Sequence, residues 1–123
     1  MKILVLTFLL CISLFFSASA QKQVTHLVLF KLKAGIAKAD ERYKACLKSM
    51  REMPAKIKQI ENWDMGENFS DRPVAFDVGL SAVFASKKDL QTYLAHPAHV
   101  EAVAAWKEIA DWNIVDFESE KEL

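Results

Sequence analysis

Hydrophobic positions along this chain switch between two periods, and each switch marks a change of element. Val24, His26, Val28, Phe30 and Leu32 alternate on one face of a run rich in β-formers, while Leu27 and Leu29 fall on the other. A strand that is apolar on both sides is usually covered on both sides. From Ile36 the period lengthens. Ile36, Ala39, Tyr43, Cys46, Leu47, Met50 and Met53 recur at helical spacing, with Lys, Glu and Arg between them. This predicts an amphipathic helix of about seventeen residues that follows Gly35 and is stopped by Pro54.

Residues 57–67, carrying Trp63 and Met65, read as a second strand, and the turn chemistry of Gly66 to Pro73 follows it. Val74, Phe76, Val78, Leu80, Ala82 and Phe84 then alternate with Ala75, Asp77, Gly79 and Ser81 as a third strand. Ser86 with Asp89 three residues on is the acidic variant of a capping box, and opens a second helix. Its inner stripe is Leu90, Tyr93, Leu94, Val100, Val103 and Trp106. Residues 112–117 close the chain as a fourth strand.

The order β-α-β-β-α-β is the ferredoxin-like split unit, an α+β fold. Two helices cover only one face of a four-stranded sheet. The other face still carries large apolar side chains, which predicts a homodimer joined through the open sheet faces.

The first twenty residues change the picture of where the chain works. Lys2, an apolar run from Ile3 to Leu10 that continues past Cys11 to Phe16, and Ala18-Ser19-Ala20 describe a secretory signal cleaved after Ala20. The competing reading is an uncleaved membrane anchor, but about fourteen apolar residues fall short of the roughly 20 that span a bilayer. Cys11 is no lipid-attachment cysteine, because the apolar run goes on beyond it. The mature product is then secreted or periplasmic, with no membrane association after cleavage. It is one domain over residues 21–117 with a polar, acidic tail at 118–123.

Cleavage at that point leaves 103 of 123 residues, and sixteen basic residues become fifteen against sixteen acidic, a net charge of −1. So balanced a charge argues against nucleic acid and against an electrostatic membrane dock. Only Cys46 remains as a thiol, so no disulfide forms within the mature chain, and its helical neighbours Tyr43, Leu47 and Met50 predict a buried, inert side chain.

Candidate chemistry is concentrated in Tyr93-Leu94-Ala95-His96-Pro97-Ala98-His99, which holds a tyrosine and two of the three histidines. Pro97 disfavours helix at His96 and suits a first helical position, so the helix should break near His96 and restart at Pro97. His99 then lies in the first turn of the restarted helix, where the dipole disfavours imidazolium and keeps the ring neutral. A neutral imidazole is a base, and a tyrosine can donate to a carbonyl or enolate oxygen. The break could bring Tyr93 and His99 together, which a straight helix would not. His26, on the first strand, would orient the ligand or His99.

Each residue also has a structural reading. Tyr93 fits equally as a core residue with its hydroxyl at the rim. His96 fits a helix-junction cap, and His26 a hydrogen-bonded core histidine. The three tryptophans fit core filling, and Asp77 and Asp116 fit edge pairing with lysines. No zinc pattern accompanies the histidines, so neither a metal nor an organic cofactor is expected.

Several segments resemble the stress-responsive A/B barrel (Dabb) domain family. They are His26-Leu27-Val28-Leu29-Phe30-Lys31-Leu32-Lys33, Phe84-Ala85-Ser86-Lys87-Lys88-Asp89-Leu90, the Y-x-x-H-P-x-H block over residues 93–99, and Val115-Asp116-Phe117. The resemblance spans about residues 24 to 117. It implies a dimeric α/β barrel of two ferredoxin-like subunits. One plant member, olivetolic acid cyclase, is an intramolecular aldol cyclase acting on a polyketide. Its acid/base pair would fall on Tyr93 and His99 and its strand histidine on His26. An export signal sets this chain apart from that member.

Two functions follow as expectations. In one, a barrel cavity binds a small apolar carbonyl compound, with His99, Tyr93 and His26 in catalytic roles and His96, Phe30, Val28 and Trp106 binding the substrate. In the other, the protein is a non-enzymatic stress or binding module with structural histidines. A cavity reaching His99, or its filling by Phe30, Phe76 and Trp106, separates them.

Overall fold

The computed structural model describes residues 22–122, so the export signal read over residues 1–20 lies outside the described residues. Strand β1 (Lys22–Leu32), helix α1 (Glu41–Lys56), strands β2 (Ile60–Glu67) and β3 (Val78–Phe84), helices α2 (Lys87–Ala95) and α3 (Pro97–Ile109), and strand β4 (Ala110–Glu122) follow in order. All strand pairings are antiparallel, in the sheet order β2-β3-β1-β4. This is the ferredoxin-like α+β architecture read from the alternation of periods, with the second helix divided in two. No helix among the described residues is long and apolar enough to cross a membrane.

The helices cover one sheet face. Val24, Val28 and Phe30 of β1 and Val78, Leu80, Ala82 and Phe84 of β3 meet Tyr43, Cys46, Leu47, Met50 and Met53 of α1 there. Cys46 is a free, buried thiol whose pKa is raised by burial. Buried and protonated, it is the inert side chain that its neighbours predict.

Several boundaries differ from expectation, each for a local reason. Helix α1 starts at Glu41 rather than near Ile36, because the Asp40 carboxylate caps it by accepting from the Arg42 N–H at 2.9 Å. Pro54 does not stop it. The proline lies in the last turn, and the Ile57 N–H closes the helix onto the Met53 carbonyl beyond it. A missing donor so near the end costs one bond and leaves the turn intact.

Strand β2 begins at Ile60, after a turn at 58–59. Strand β3 begins only at Val78, because Arg72–Ala75 form a hydrogen-bonded turn that leaves Val74 exposed. Asp77 fixes the start of β3. Its N–H donates to the Phe30 carbonyl at 2.8 Å, and its carboxylate accepts from the Leu32 N–H at 2.7 Å.

The acidic end is not a separate tail. Residues 118–122 extend β4, since the first residues of β1 offer it an edge: Val24 faces Glu118 and Lys22 faces Glu122. Lys87 pairs with Glu118 at 2.7 Å.

Gly35 is the only described residue with positive φ, at 84°. It is the third residue of a turn closed by the Ile36 N–H on the Lys33 carbonyl at 3.1 Å, the position that demands this conformation. A Cβ there would meet nothing within 4 Å, so only the backbone resists a side chain. Gly35→Ala is therefore expected to lower the unfolding free energy by about 1–2 kcal/mol with the fold unchanged. Urea denaturation monitored by circular dichroism checks this, and equal midpoints would contradict it.

Candidate functional site

The break between α2 and α3 is where the site begins. His96 has φ −65° and ψ 136°, the extended geometry that a following proline imposes. It closes α2 through its N–H on the Tyr93 carbonyl, and its Nδ1 accepts from the Ala98 N–H at 3.1 Å to cap α3. Pro97 occupies the first turn of α3, as its missing N–H allows. His96, expected to bind substrate, has this structural partner instead. Its ring is spent on the junction and does not line the cavity described below.

The same break turns α3 relative to α2. Val100, placed on the inner stripe by an unbroken helix, is 55% exposed, whereas Ala102, Trp106 and Ile109 are buried. The turn also brings His99 back over α2. Its Nδ1 lies 3.0 Å from the Leu94 carbonyl, one of the acceptors left free at the end of α2. A carbonyl only accepts, so Nδ1–H is the donor, and in the neutral ring Nε2 carries the lone pair.

Tyr93 stands at the centre of an aromatic group. Its ring centroid is 4.4 Å from His99, 4.9 Å from Phe84, 5.8 Å from His26 and 6.1 Å from Trp63. His26, 3% exposed on β1, is held from the far side. Its Nδ1 is 2.5 Å from an Asp116 carboxylate oxygen, and the two residues face each other in the β1–β4 register. Asp116 is the residue that sequence reasoning misses, since a strand aspartate fits an edge pairing with lysine equally well. The available signal was its place on the same face of β4 as Trp112 and Ile114, directly across from His26.

Burial sets the protonation states. It pushes the Tyr93 hydroxyl pKa upward, helped by the nearby Asp116 charge, so the phenol keeps its proton. It pushes the His99 pKa below its ordinary 6.5, with a smaller push from His26 and an opposing pull from the Leu94 carbonyl. Burial is thus what chiefly keeps His99 neutral, where the sequence suggests the helix dipole. One group is a held donor and the other a free acceptor, the pairing that acid–base chemistry requires.

These side chains line a cavity of about 250 Å³ between sheet and helices. His26, Tyr93 and His99 share it with Val28, Phe30 and Trp106, so six of the seven residues picked from sequence meet in one place. Met50, Met53, Trp63 and Trp112 complete much of the wall. All three tryptophans therefore line the cavity instead of only filling the core. The Nε1–H groups of Trp63 and Trp106 are buried without a hydrogen-bond partner among the described residues. No Lys or Arg lines the space. Among the described residues no three His, Cys, Asp or Glu side chains gather as a metal site.

Comparisons with known proteins agree with this architecture. An uncharacterized protein of Streptomyces coelicolor is 38% identical over 95 residues, covering 77% of this chain and 98% of that protein. A dimeric ferredoxin-like protein of unknown function from Bacteroides fragilis is 29% identical with a TM-score of 0.65, covering 79% of this chain and 96% of that one. A hydroxynitrile lyase from Passiflora edulis shares the fold with a TM-score of 0.71 at 13% identity, over 84% of this chain and 98% of that one. The Stress Responsive A/B Barrel Domain profile matches residues 24–119, and the chain belongs to that family.

Proposed function

We propose that this protein binds a small, neutral, apolar carbonyl compound in its cavity and moves a proton at it, in aldol-cyclase or lyase-like chemistry. The observation that carries this reading is the pairing of a protonated Tyr93 with a neutral His99 on one apolar wall. Tyr93 Oη–H donates to the carbonyl oxygen. His99 Nε2 takes a proton from the adjacent carbon, and the enolate charge rests on the oxygen held by Tyr93. The enolate carbon then attacks a second carbonyl carbon, and the alkoxide formed recovers the proton from His99. Run backwards, the same steps cleave a carbon–carbon bond beside a hydroxyl. Asp116 and His26 position the wall behind Tyr93.

The size and lining of the cavity support a small neutral ligand. A volume of about 250 Å³ equals about eight molecules of liquid water, at about 30 Å³ each. Without a lining cation, a carboxylate or phosphate would enter uncompensated. That a Passiflora protein of this fold is a hydroxynitrile lyase supports lyase chemistry on such a scaffold. The proposal includes export, with a mature chain starting at Gln21, and a homodimer through the open sheet faces, in line with the dimeric Bacteroides relative.

One observation favours the non-enzymatic module. His96 and His26 each have a partner that accounts for them structurally, Ala98 and Asp116. His99 decides between the two readings. Native mass spectrometry of the protein purified from its host is expected to show a bound neutral carbonyl compound that His99→Ala does not retain. Equal, empty spectra from two equally stable proteins would favour the module.

Against a compound identified in that way, Tyr93→Phe is expected to fold normally and to lose at least about a hundredfold in turnover. Unchanged turnover would leave Tyr93 a packing residue.

The pH dependence has a definite sign. Because the folded-state pKa of His99 is lowered, its neutral form contributes stability that is fully present above about pH 6.5 and lost as the pH falls through the folded value. In an NMR titration, the His99 ring protons should inflect below 6.5. An inflection at or above 6.5 would contradict the lowering by burial.

A further inference from the structure

Two polar atoms of the cavity wall are left over from the proposed chemistry. The Nε1 atoms of Trp63 and Trp106 are the only buried side-chain N or O atoms without a hydrogen-bond partner among the described residues. Both indoles line the cavity, and Trp106 is only 2% exposed. A buried donor left unpaired loses its hydration and gains nothing in return, so native structures keep few of them. A phenylalanine would give the same apolar wall without that loss.

The two donors stand at opposite ends of the space. Trp63 faces Ala82, and Ala82 faces His26, so these three share one row of the sheet with Asp116. Tyr93 closes that end, with its ring centroid 6.1 Å from Trp63 and 5.8 Å from His26. Trp106 packs on Phe30 at 4.4 Å, in the row of Val78 and Trp112. His26 and Phe30 are four residues apart on β1, which sets the two rows about 13 Å apart along the strand. The row between them carries Val28, Leu80 and Ile114, all apolar and all lining the cavity.

We infer that the ligand carries a second neutral carbonyl oxygen at the end remote from the reacting one, and that Trp106 Nε1–H holds it. Trp63 Nε1–H, beside Tyr93, is the second donor to the reacting carbonyl. The inference rests on the function proposed above and narrows its substrate to an elongated compound, with an oxygen at each end and an apolar stretch between. Two donors on one oxygen also suit the enolate, whose charge then falls on a site already furnished with N–H and O–H.

The surroundings of Trp106 agree with an acceptor that comes from the cavity. The residue also borders an open groove between α1 and α3, but its N–H is buried and so out of reach of the water there. No Lys or Arg lines the cavity, so the oxygen that arrives is uncharged. An indole N–H only donates, which makes a carbonyl oxygen its natural partner.

Proton–nitrogen correlation spectra test this, because the chain has three tryptophans and hence three indole N–H signals. Any two of Trp63→Phe, Trp106→Phe and Trp112→Phe assign all three, so one variant that does not fold leaves the assignment complete. The probes are nonan-2-one, with one carbonyl, and nonane-2,8-dione, with heptane-2,6-dione as a shorter diketone. A diketone is expected to move the Trp63 and Trp106 signals downfield, and nonan-2-one that of Trp63 alone. The better diketone should bind at least about tenfold tighter than the ketone, and Trp106→Phe should remove most of that difference. The His99 ring protons report separately on the function beneath. If they respond to the probes while the Trp106 signal stays in place, or if ketone and diketones bind equally, that function stands and this inference is overturned. An indole N–H that shows a long-lived water and keeps it when a diketone is bound overturns it as well. If no probe disturbs His99, the proposed function fails and this inference with it.

Discussion

The candidate site depends on a single proline ring. Pro97 cannot donate within a helix and drives the residue before it into extended geometry, so the chain turns at His96 and starts α3 in a new direction. Without that turn, Tyr93 and His99 would sit six positions apart on one helix and face different sides. With it, their rings are 4.4 Å apart. The broken end of α2 also leaves the Leu94 carbonyl free to take the His99 Nδ1–H, which settles which ring nitrogen is left for chemistry. One backbone constraint thus fixes position, orientation and tautomer.

Burial supplies the second half of the arrangement. Desolvation disfavours whichever form of a group is charged, so it acts in opposite chemical senses on a phenol and an imidazole. The enclosed space that raises the Tyr93 pKa lowers that of His99. No dedicated ion is needed to hold one protonated and the other not. In the proposed reaction, the lining of Phe30, Met50, Met53 and three tryptophans would hold these protonation states as well as enclose the ligand.

How much of this was legible in the sequence depended on distance along the chain. The helix break, the neutral His99 and the burial of Cys46 follow from residues within a few positions of one another, and local rules reached them. The His26–Asp116 pair is separated by 90 positions, and only the β1–β4 register brings it together. The local pattern around Asp116 puts it on one face with Trp112 and Ile114 but does not name His26 as its partner. The extension of β4 through Glu122 escaped for the same reason, since the edge that accepts it belongs to Lys22–Val24. The late start of β3 escaped differently. Val74 and Phe76 carry a strand-like alternation, but the Arg72–Ala75 turn and the anchoring of Asp77 on β1 override it. His96 was legible in two ways, and the capping requirement of a new helix won.

Trp63, Trp106 and Trp112 are the only tryptophans in the chain, and all three border the cavity. An indole's emission responds to the polarity and quenchers beside it, so the tryptophan fluorescence of this protein originates wholly at the candidate site. The molecule thus carries a built-in optical gauge of whether its cavity is filled, with no label to attach and no indole elsewhere in the fold.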